Sequence, residues 1–304
     1  MMFQAKNIMV VVDYRQKNHH ALPRAIKLAE LFQSQLTLVS CIYPEVMNLS
    51  TFFGGEKLEQ IKQNSLDEKK ALLEELAAPF KKTGINIQTR VIWNKNFYKG
   101  LLEHIESSDY DLIVKTAHCH SSLNTLLITP TDWHLLRESP VSLFLVKNGQ
   151  WPESKSILGA IKIQATDEQH HSLNEKIIEC TLSLANLCKA TPQLVNVFPW
   201  PIFNSVQFKH LFDEKGYFDE MKDIHQKAMK KYIDKYQLAE ENVHLVEGLN
   251  AAEIIPEVIS SSQSDILVMG TVGRKGVSGS VIGNTAEKIL YEIDCDVLAI
   301  KELS

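Results

Sequence analysis

Short apolar runs alternate with amphipathic helical patterns along the whole chain. The clearest runs are KNIMVVVD from Lys6, LTLVSCIYP from Leu36 and DILVMG from Asp265. Between the runs, apolar residues recur at spacings of three and four, as they do from Phe218 to Tyr236, and so line one face of a helix. This alternation predicts an α/β protein in which parallel strands carry helices on both faces of the sheet.

The same pattern occurs twice. KNIMVVVD from Lys6 has its counterpart in KSILGAIK from Lys155, and from Leu112 and Ile266 onward the two halves align without a gap at an offset of 154. Each copy reads β-α-β-α-β-α-β-α-β, which is the signature of an internal repeat. We therefore expect one domain in residues 1–147, a second in residues 155–304 and a polar linker in residues 148–154.

Length and composition agree with two ordinary soluble domains. The chain has 304 residues, a net charge of −5 and basic residues spread along its length, which argues against general nucleic-acid binding and against an anionic membrane surface. The apolar run before Asp13 is too short for a secretory leader. The five cysteines show no C-x-x-C spacing and fit a reducing compartment, so we expect a cytoplasmic protein; they are Cys41, Cys119, Cys180, Cys188 and Cys295.

A glycine-rich segment holds the most informative chemistry. GTVGRKGVSGSVIGNT, from Gly270 to Thr285, contains five of the chain's thirteen glycines and joins a strand to a helix. Without Cβ atoms, such a backbone can bring its N–H groups close to an anion. We expect Asn284 to be the N-cap of the helix, with Glu287 completing a capping box. The segment is thus a candidate phosphate site, and a purely structural turn is the alternative.

The spacing of this segment resembles the ATP-binding signature of the universal stress protein family. The matching pattern is Gly270-x2-Gly273-x9-Gly283-Asn284-Thr285, and CDVLAIK from Cys295 is similar to the family's last strand. The resemblance covers both halves and is closest to the tandem members of the family. It implies two doubly wound, flavodoxin-like or Rossmann-like domains with five parallel strands in the order 3-2-1-4-5. It also implies a pseudo-dimer in which Ser142 to Val146 pairs with Val297 to Ile300.

For the site, the resemblance implies ATP or AMP in the second half, with phosphates on Gly270, Gly273, Gly283, Asn284 and Thr285. It also implies that an aspartate after the first strand holds the nucleoside end. That residue is Asp13 in the first half but Lys162 in the second. Conversely, the first half has threonine or cysteine where the second has the signature glycines, at Thr116, Cys119 and Thr129. Each half therefore keeps one part of the family site and lacks the other.

The resemblance implies a cytoplasmic stress-response protein that supports survival under starvation, growth arrest or DNA damage. Two hypotheses remain open at this point. The chain is either a nucleotide-responsive module or a scaffold that holds other small molecules, lipids or partner proteins and uses the glycine segment only as a turn. Homodimerisation of the whole chain stays open as well.

Catalysis and metal binding find little support in the sequence. The chain has no G-x-S-x-G, no G-K-[ST] and no H-E-x-x-H, so we expect no enzyme, although a weak ATPase activity stays compatible with the glycine segment. His118-Cys119-His120 offers too few ligands for structural zinc, and we expect no metal. Thr129-Pro130-Thr131-Asp132 predicts a helix start whose carboxylate already occupies the anion position.

Overall fold

The computed structural model describes residues 4–16, 18–47, 54–119, 126–147, 156–163, 168–198, 214–271 and 283–301. The first half contains β1 (Asn7–Val11), α1 (Ala21–Phe32), β2 (Gln35–Ile42), α2 (Gly55–Ala77), β3 (Ile87–Trp93), α3 (Phe97–Glu106), β4 (Leu112–Thr116), β5 (His118–Cys119), β6 (Leu126–Leu127), α4 (Pro130–Glu138) and β7 (Ser142–Val146). The second half contains β8 (Ser156–Ala160), α5 (Glu168–Cys188), β9 (Thr191–Phe198), α6 (Glu214–Tyr236), β10 (Val243–Glu247), α7 (Ala251–Ser261), β11 (Ser264–Gly270), α8 (Asn284–Glu292) and β12 (Asp296–Ile300).

The strands of both halves form one ten-stranded sheet. Its order is β10-β9-β8-β11-β12-β7-β4-β1-β2-β3, while β5 and β6 pair in a separate hairpin. Within each half the five sheet strands run parallel, and their order along the sheet is 3-2-1-4-5. The predicted α/β class with two doubly wound units is therefore confirmed.

Helices cover both faces of this sheet. One face packs against α1, α2, α5 and α6, and the other packs against α3, α4, α7 and α8. Successive residues of a strand enter opposite cores, as Leu38 and Val39 do. Central strands such as β4 are buried on both faces, which explains the apolar run from Leu112 to Val114. None of the described helices has the length and apolar composition that a membrane span requires.

The two halves meet through their last strands. β7 and β12 pair antiparallel, with Phe144 opposite Leu298, flanked by the pairs Leu143–Ala299 and Leu145–Val297. Phe144 and Leu298 are equivalent positions of the two repeats, so an approximate two-fold axis passes between them. The pairing removes the open edge that each fifth strand would otherwise expose.

Contacts between α4 and α8 follow the same approximate symmetry. The rings of Trp133 and Tyr291 lie 5.4 Å apart between centroids, and Arg137 lies 3.6 Å from the Glu287 carboxylate. At the repeat offset of 154, Glu287 is the counterpart of Trp133 and Tyr291 is the counterpart of Arg137. In one contact, position 133 of the first half meets the second-half counterpart of position 137. In the other contact, position 137 meets the counterpart of position 133, as expected at a two-fold interface.

Lysines that follow β7 and β12 also cross between the halves. The partly buried Lys301 amine donates to the backbone carbonyls of Leu136 and Arg137 at the end of α4. Burial lowers the pKa of Lys301 to about 8. At the equivalent place, the Lys147 amine forms an ion pair with Asp294, just beyond α8. In each half, the lysine after the last strand thus contacts the C-terminal end of the last helix of the other half, or the residues just beyond it.

A buried ion pair at the junction departs from this symmetry. Arg24 on α1 lies 2.5 Å from the Asp296 carboxylate on β12, and their side chains are 1% and 5% exposed. The other carboxylate oxygen of Asp296 accepts the Lys147 N–H at 2.8 Å. At the equivalent point, the hydroxyl of Ser142 accepts the Lys301 N–H at 3.2 Å. The charged contact therefore joins the first half to the second at only one end of the β7–β12 pair.

We expect Asp296→Asn to lower the free energy of unfolding by about 3–5 kcal/mol, because it leaves the Arg24 charge buried without its partner. Ser142→Ala is the matched control, since it changes the equivalent position without stranding a charge, and it should cost far less. Denaturant unfolding of the full chain measures both losses. Equal losses for the two variants would contradict the assigned importance of the ion pair.

Candidate functional site

Doubly wound sheets bind ligands beyond the carboxyl ends of their strands, at the point where the strand order reverses. Here that point lies between β1 and β4 in the first half and between β8 and β11 in the second, and we call these places the first and second crevice. Val12 N–H bonds the Val39 carbonyl at 2.8 Å, and Ile161 N–H bonds the Val195 carbonyl at 3.0 Å. The next residues, Asp13 and Lys162, therefore occupy equivalent places, as the alignment predicted.

In the first crevice, Asp13 is held by its neighbour Arg15. The carboxylate accepts the Arg15 backbone N–H at 3.0 Å and two guanidinium N–H groups at 3.0 and 3.2 Å. Burial would raise the pKa of Asp13, but the hydrogen bonds and charge of Arg15 outweigh it, so that the pKa lies below its ordinary value. The carboxylate is therefore ionised and already occupied.

Thr116 fills the opposite side of the first crevice. It ends β4, and its hydroxyl accepts the backbone N–H of Ala21 at 2.9 Å, at the first residue of α1. The second half has Gly270 at this position. The side chain thus links β4 to α1 across the first crevice.

The start of α4 carries its own carboxylate. Thr129 is the N-cap, and it forms a capping box in which the Asp132 carboxylate accepts the Thr129 N–H at 2.8 Å. The other Asp132 oxygen lies 2.7 Å from the Lys115 amine, and the two side chains are 0% and 3% exposed. The helix start predicted from the sequence is confirmed, and an internal anion occupies the positive end of the α4 dipole.

The start of α8 differs from that of α4, and it differs from our prediction. Gly283 is the N-cap, so Asn284 is the first helical residue and the predicted Asn284–Glu287 capping box is wrong. Glu287 lies one position too far along to reach back to the cap, and its carboxylate faces Arg137 instead. No side chain within the described part of the chain caps this end, and Gly283, Asn284 and Thr285 are exposed.

The residues behind the α8 start are uncharged. At the repeat offset of 154, Met269 stands where the first half has Lys115, and Ala286 stands where it has Asp132. Both the internal anion and its counterion are therefore missing from the second half. Among the described residues, no side chain accepts a hydrogen bond from the first backbone N–H groups of α8, and a helix start of this kind favours anion binding.

The predicted site residues are only partly brought together. Gly270 ends β11 on the crevice, whereas Gly283, Asn284 and Thr285 begin α8. Gly273 lies outside the described residues. A Cβ built on Gly270 would lie 2.6 Å from a methyl carbon of Leu173, so Leu173 packs directly against that glycine.

Sequence reasoning missed the part that α5 plays in the second crevice. Asn174 is buried, and its amide donates to the Lys162 carbonyl at 2.9 Å while its oxygen accepts the Lys162 N–H at 3.1 Å. The Asn174 amide also lies 3.4 Å from the hydroxyl of Tyr232 on α6. The available signal was the helical pattern of the second half, which includes Leu173 well ahead of the positions that match the start of α1.

The metal candidate His118-Cys119-His120 cannot be placed relative to this site. His120 and the side chains of His118 and Cys119 lie outside the described residues. Among the residues that the structure does describe, no three His, Cys, Asp or Glu side chains form a metal-binding group.

Replacing Lys115 or Asp132 by its second-half counterpart tests the internal anion. We expect Lys115→Met and Asp132→Ala each to lower the free energy of unfolding by about 3–5 kcal/mol, because each strands a buried charge. The double variant should lose less than the sum of the two single losses, since it removes both charges together. A denaturant-unfolding cycle measures the coupling, and additive losses would contradict the pairing.

Comparisons with known proteins support the repeat and the family resemblance. A sequence model of the universal stress protein family matches residues 4–147 and 165–301. Universal stress protein E of Escherichia coli (strain K12) is 32% identical over 298 residues, which cover 97% of this chain and 94% of that protein. The universal stress protein E homolog of Haemophilus influenzae is 29% identical over 301 residues, which cover 97% of each protein.

A solved structure supports the same assignment. A functionally unknown protein from Pseudomonas aeruginosa PAO1 superposes with a TM-score of 0.76 at 26% identity, and the match covers 98% of this chain and 93% of that chain. Both repeats, the full-length relatives and the shared fold lead to one conclusion. The chain belongs to the universal stress protein family, a family of stress-response proteins.

Proposed function

We propose that this stress-response protein binds a nucleotide such as ATP or AMP in its second half and acts as a ligand sensor rather than as an enzyme. The observation that carries the proposal is the contrast between the two helix starts. Asp132 fills the anion position of α4, whereas α8 begins with exposed Gly283 and has no capping side chain among the described residues. An external phosphate can therefore replace at α8 what Asp132 supplies at α4.

The family signature supports the same placement. Its residues in this chain are Gly270, Gly273, Gly283, Asn284 and Thr285. We propose that the backbone N–H groups at the start of α8 hold the phosphates. The first half would not bind nucleotide, because Thr116 and the Lys115–Asp132 pair fill its crevice.

The rest of the proposal concerns the setting of this site. We propose that the domains are residues 1–147 and 155–304, packed as an intramolecular pseudo-dimer in the cytoplasm. No metal cofactor is part of the proposal. The β7–β12 pairing supports the pseudo-dimer, since it uses the fifth strand of each half.

A second candidate is a non-nucleotide scaffold that holds another small molecule, a lipid or a partner protein. Two observations in the second crevice favour it. Lys162 replaces the family aspartate, and Leu173 packs on Gly270. In this case the glycine segment would serve only as a turn.

Isothermal titration of the full chain with ATP separates the two candidates. We expect saturable binding with a millimolar or lower dissociation constant, and Gly273→Val should abolish it, because a branched side chain would occupy the space of the phosphates. Cys119→Val at the equivalent position of the first half is the matched control and should leave binding unchanged. No heat of binding with ATP, ADP or AMP would reject the nucleotide proposal in favour of the scaffold.

A further inference from the structure

The helix that follows the first strand is longer in the second half than in the first. α5 has 21 residues and α1 has 12, and both end at an equivalent left-handed residue, Gln33 after α1 and Lys189 after α5. The additional length therefore lies at the N-terminus of α5. At 1.5 Å per residue, it extends the helix by ~13 Å toward the carboxyl edge of the sheet.

This N-terminal extension of α5, residues 168–176, reaches into the second crevice. Leu173 is 4% exposed and packs on Gly270 at the end of β11. Asn174 is also 4% exposed and bonds both backbone groups of Lys162 beyond β8. The extension thus contacts the last residue of β11 and Lys162, which stands at the place of the family aspartate.

Side chains of α6 hold the extension in place. The hydroxyl of Tyr232 contacts Asn174, and its ring lies 5.5 Å from that of His171. Lys235 forms an ion pair with Glu175. The buried amide of Asn174 therefore has its hydrogen-bond partners within the protein and does not need a ligand to supply them.

The residue types at this end of the crevice also differ from those expected to bind a nucleoside. An aspartate only accepts hydrogen bonds and can bind ribose hydroxyls, whereas a lysine only donates them. Lys162 is exposed at this place. The second crevice therefore has a lysine in place of the carboxylate that would accept hydrogen bonds from a ribose, and buried side chains of α5 beside it.

We infer that the second half recognises its ligand through phosphate groups alone and leaves any nucleoside outside the crevice. This inference rests on the proposed function and specifies its ligand class: chains of phosphate groups, whether or not they carry a base. The α5 extension excludes the nucleoside, and the start of α8 receives the phosphates.

Titration of the full chain with ATP, tripolyphosphate and adenosine at one ionic strength tests the inference. We expect ATP and tripolyphosphate to bind with dissociation constants within about threefold of each other, and adenosine not to bind at the same concentrations. ATP that binds about tenfold or more tightly than tripolyphosphate would overturn the inference, because the base would then contribute to binding.

A variant that shortens the buried side chains should change the preference. In the double variant Leu173→Ala, Asn174→Ala, we expect ATP to gain about tenfold over tripolyphosphate, since the nucleoside gains space. Leu184→Ala is the matched control, because Leu184 is a buried leucine of the same helix three turns away, and it should leave the ratio unchanged. An unchanged ratio in the folded double variant would argue against exclusion by α5.

The outcomes also separate this inference from the proposed function. If both phosphate compounds bind but ATP is preferred, only the inference is wrong. If neither compound binds to the wild-type chain, the proposed function is wrong and the inference fails with it. The comparison on the wild-type chain decides between these results even where a variant does not fold.

Discussion

The antiparallel pairing of β7 with β12 is the contact on which the rest of the architecture depends. It turns two parallel sheets into one and covers the edge of both fifth strands. The strands within each half are parallel, but the strands of one half run antiparallel to those of the other. The carboxyl ends of the first-half strands and those of the second-half strands therefore lie at opposite ends of the sheet's strands. The two crevices therefore open in opposite directions.

The differences between the halves follow from the cost of buried charge. Lys115 and Asp132 occur together in the first half, and Met269 and Ala286 occur together in the second. A buried carboxylate without its cation would be strongly destabilising, so the pair is kept or lost as a unit. The pair fills the anion position at the start of α4, whereas no described side chain fills that position at the start of α8. The difference between the charged Lys115–Asp132 pair and the uncharged Met269 and Ala286 thus explains why the second half, and not the first, is the candidate for phosphate binding.

The sequence was sufficient for features that depend on local pattern. The apolar runs and the constant offset predicted two α/β units, and Thr129 with Asp132 predicted the α4 cap, because residues close in the chain determine each of them. The α8 cap was predicted one residue too late, since Gly283 and Asn284 are both common N-caps and only the fold chooses between them. The Arg24–Asp296 pair was beyond prediction, because its partners lie in different halves and meet only across β7 and β12.

The contact of Leu173 with Gly270 shows that a sequence motif is weaker evidence for a ligand site than the side chains that surround it in the fold. Gly270 fits the family spacing, and the absence of a Cβ is normally interpreted as space for a ligand. Here a leucine from α5 uses that space, so the glycine is required for helix packing whether or not a ligand binds. The glycines of a signature can therefore be retained for two different reasons within one segment. In the described part of the chain, no atom lies within 4 Å of a Cβ built on Gly283, so packing against those residues does not explain that glycine. The argument for an anion thus rests on the start of α8 rather than on the end of β11.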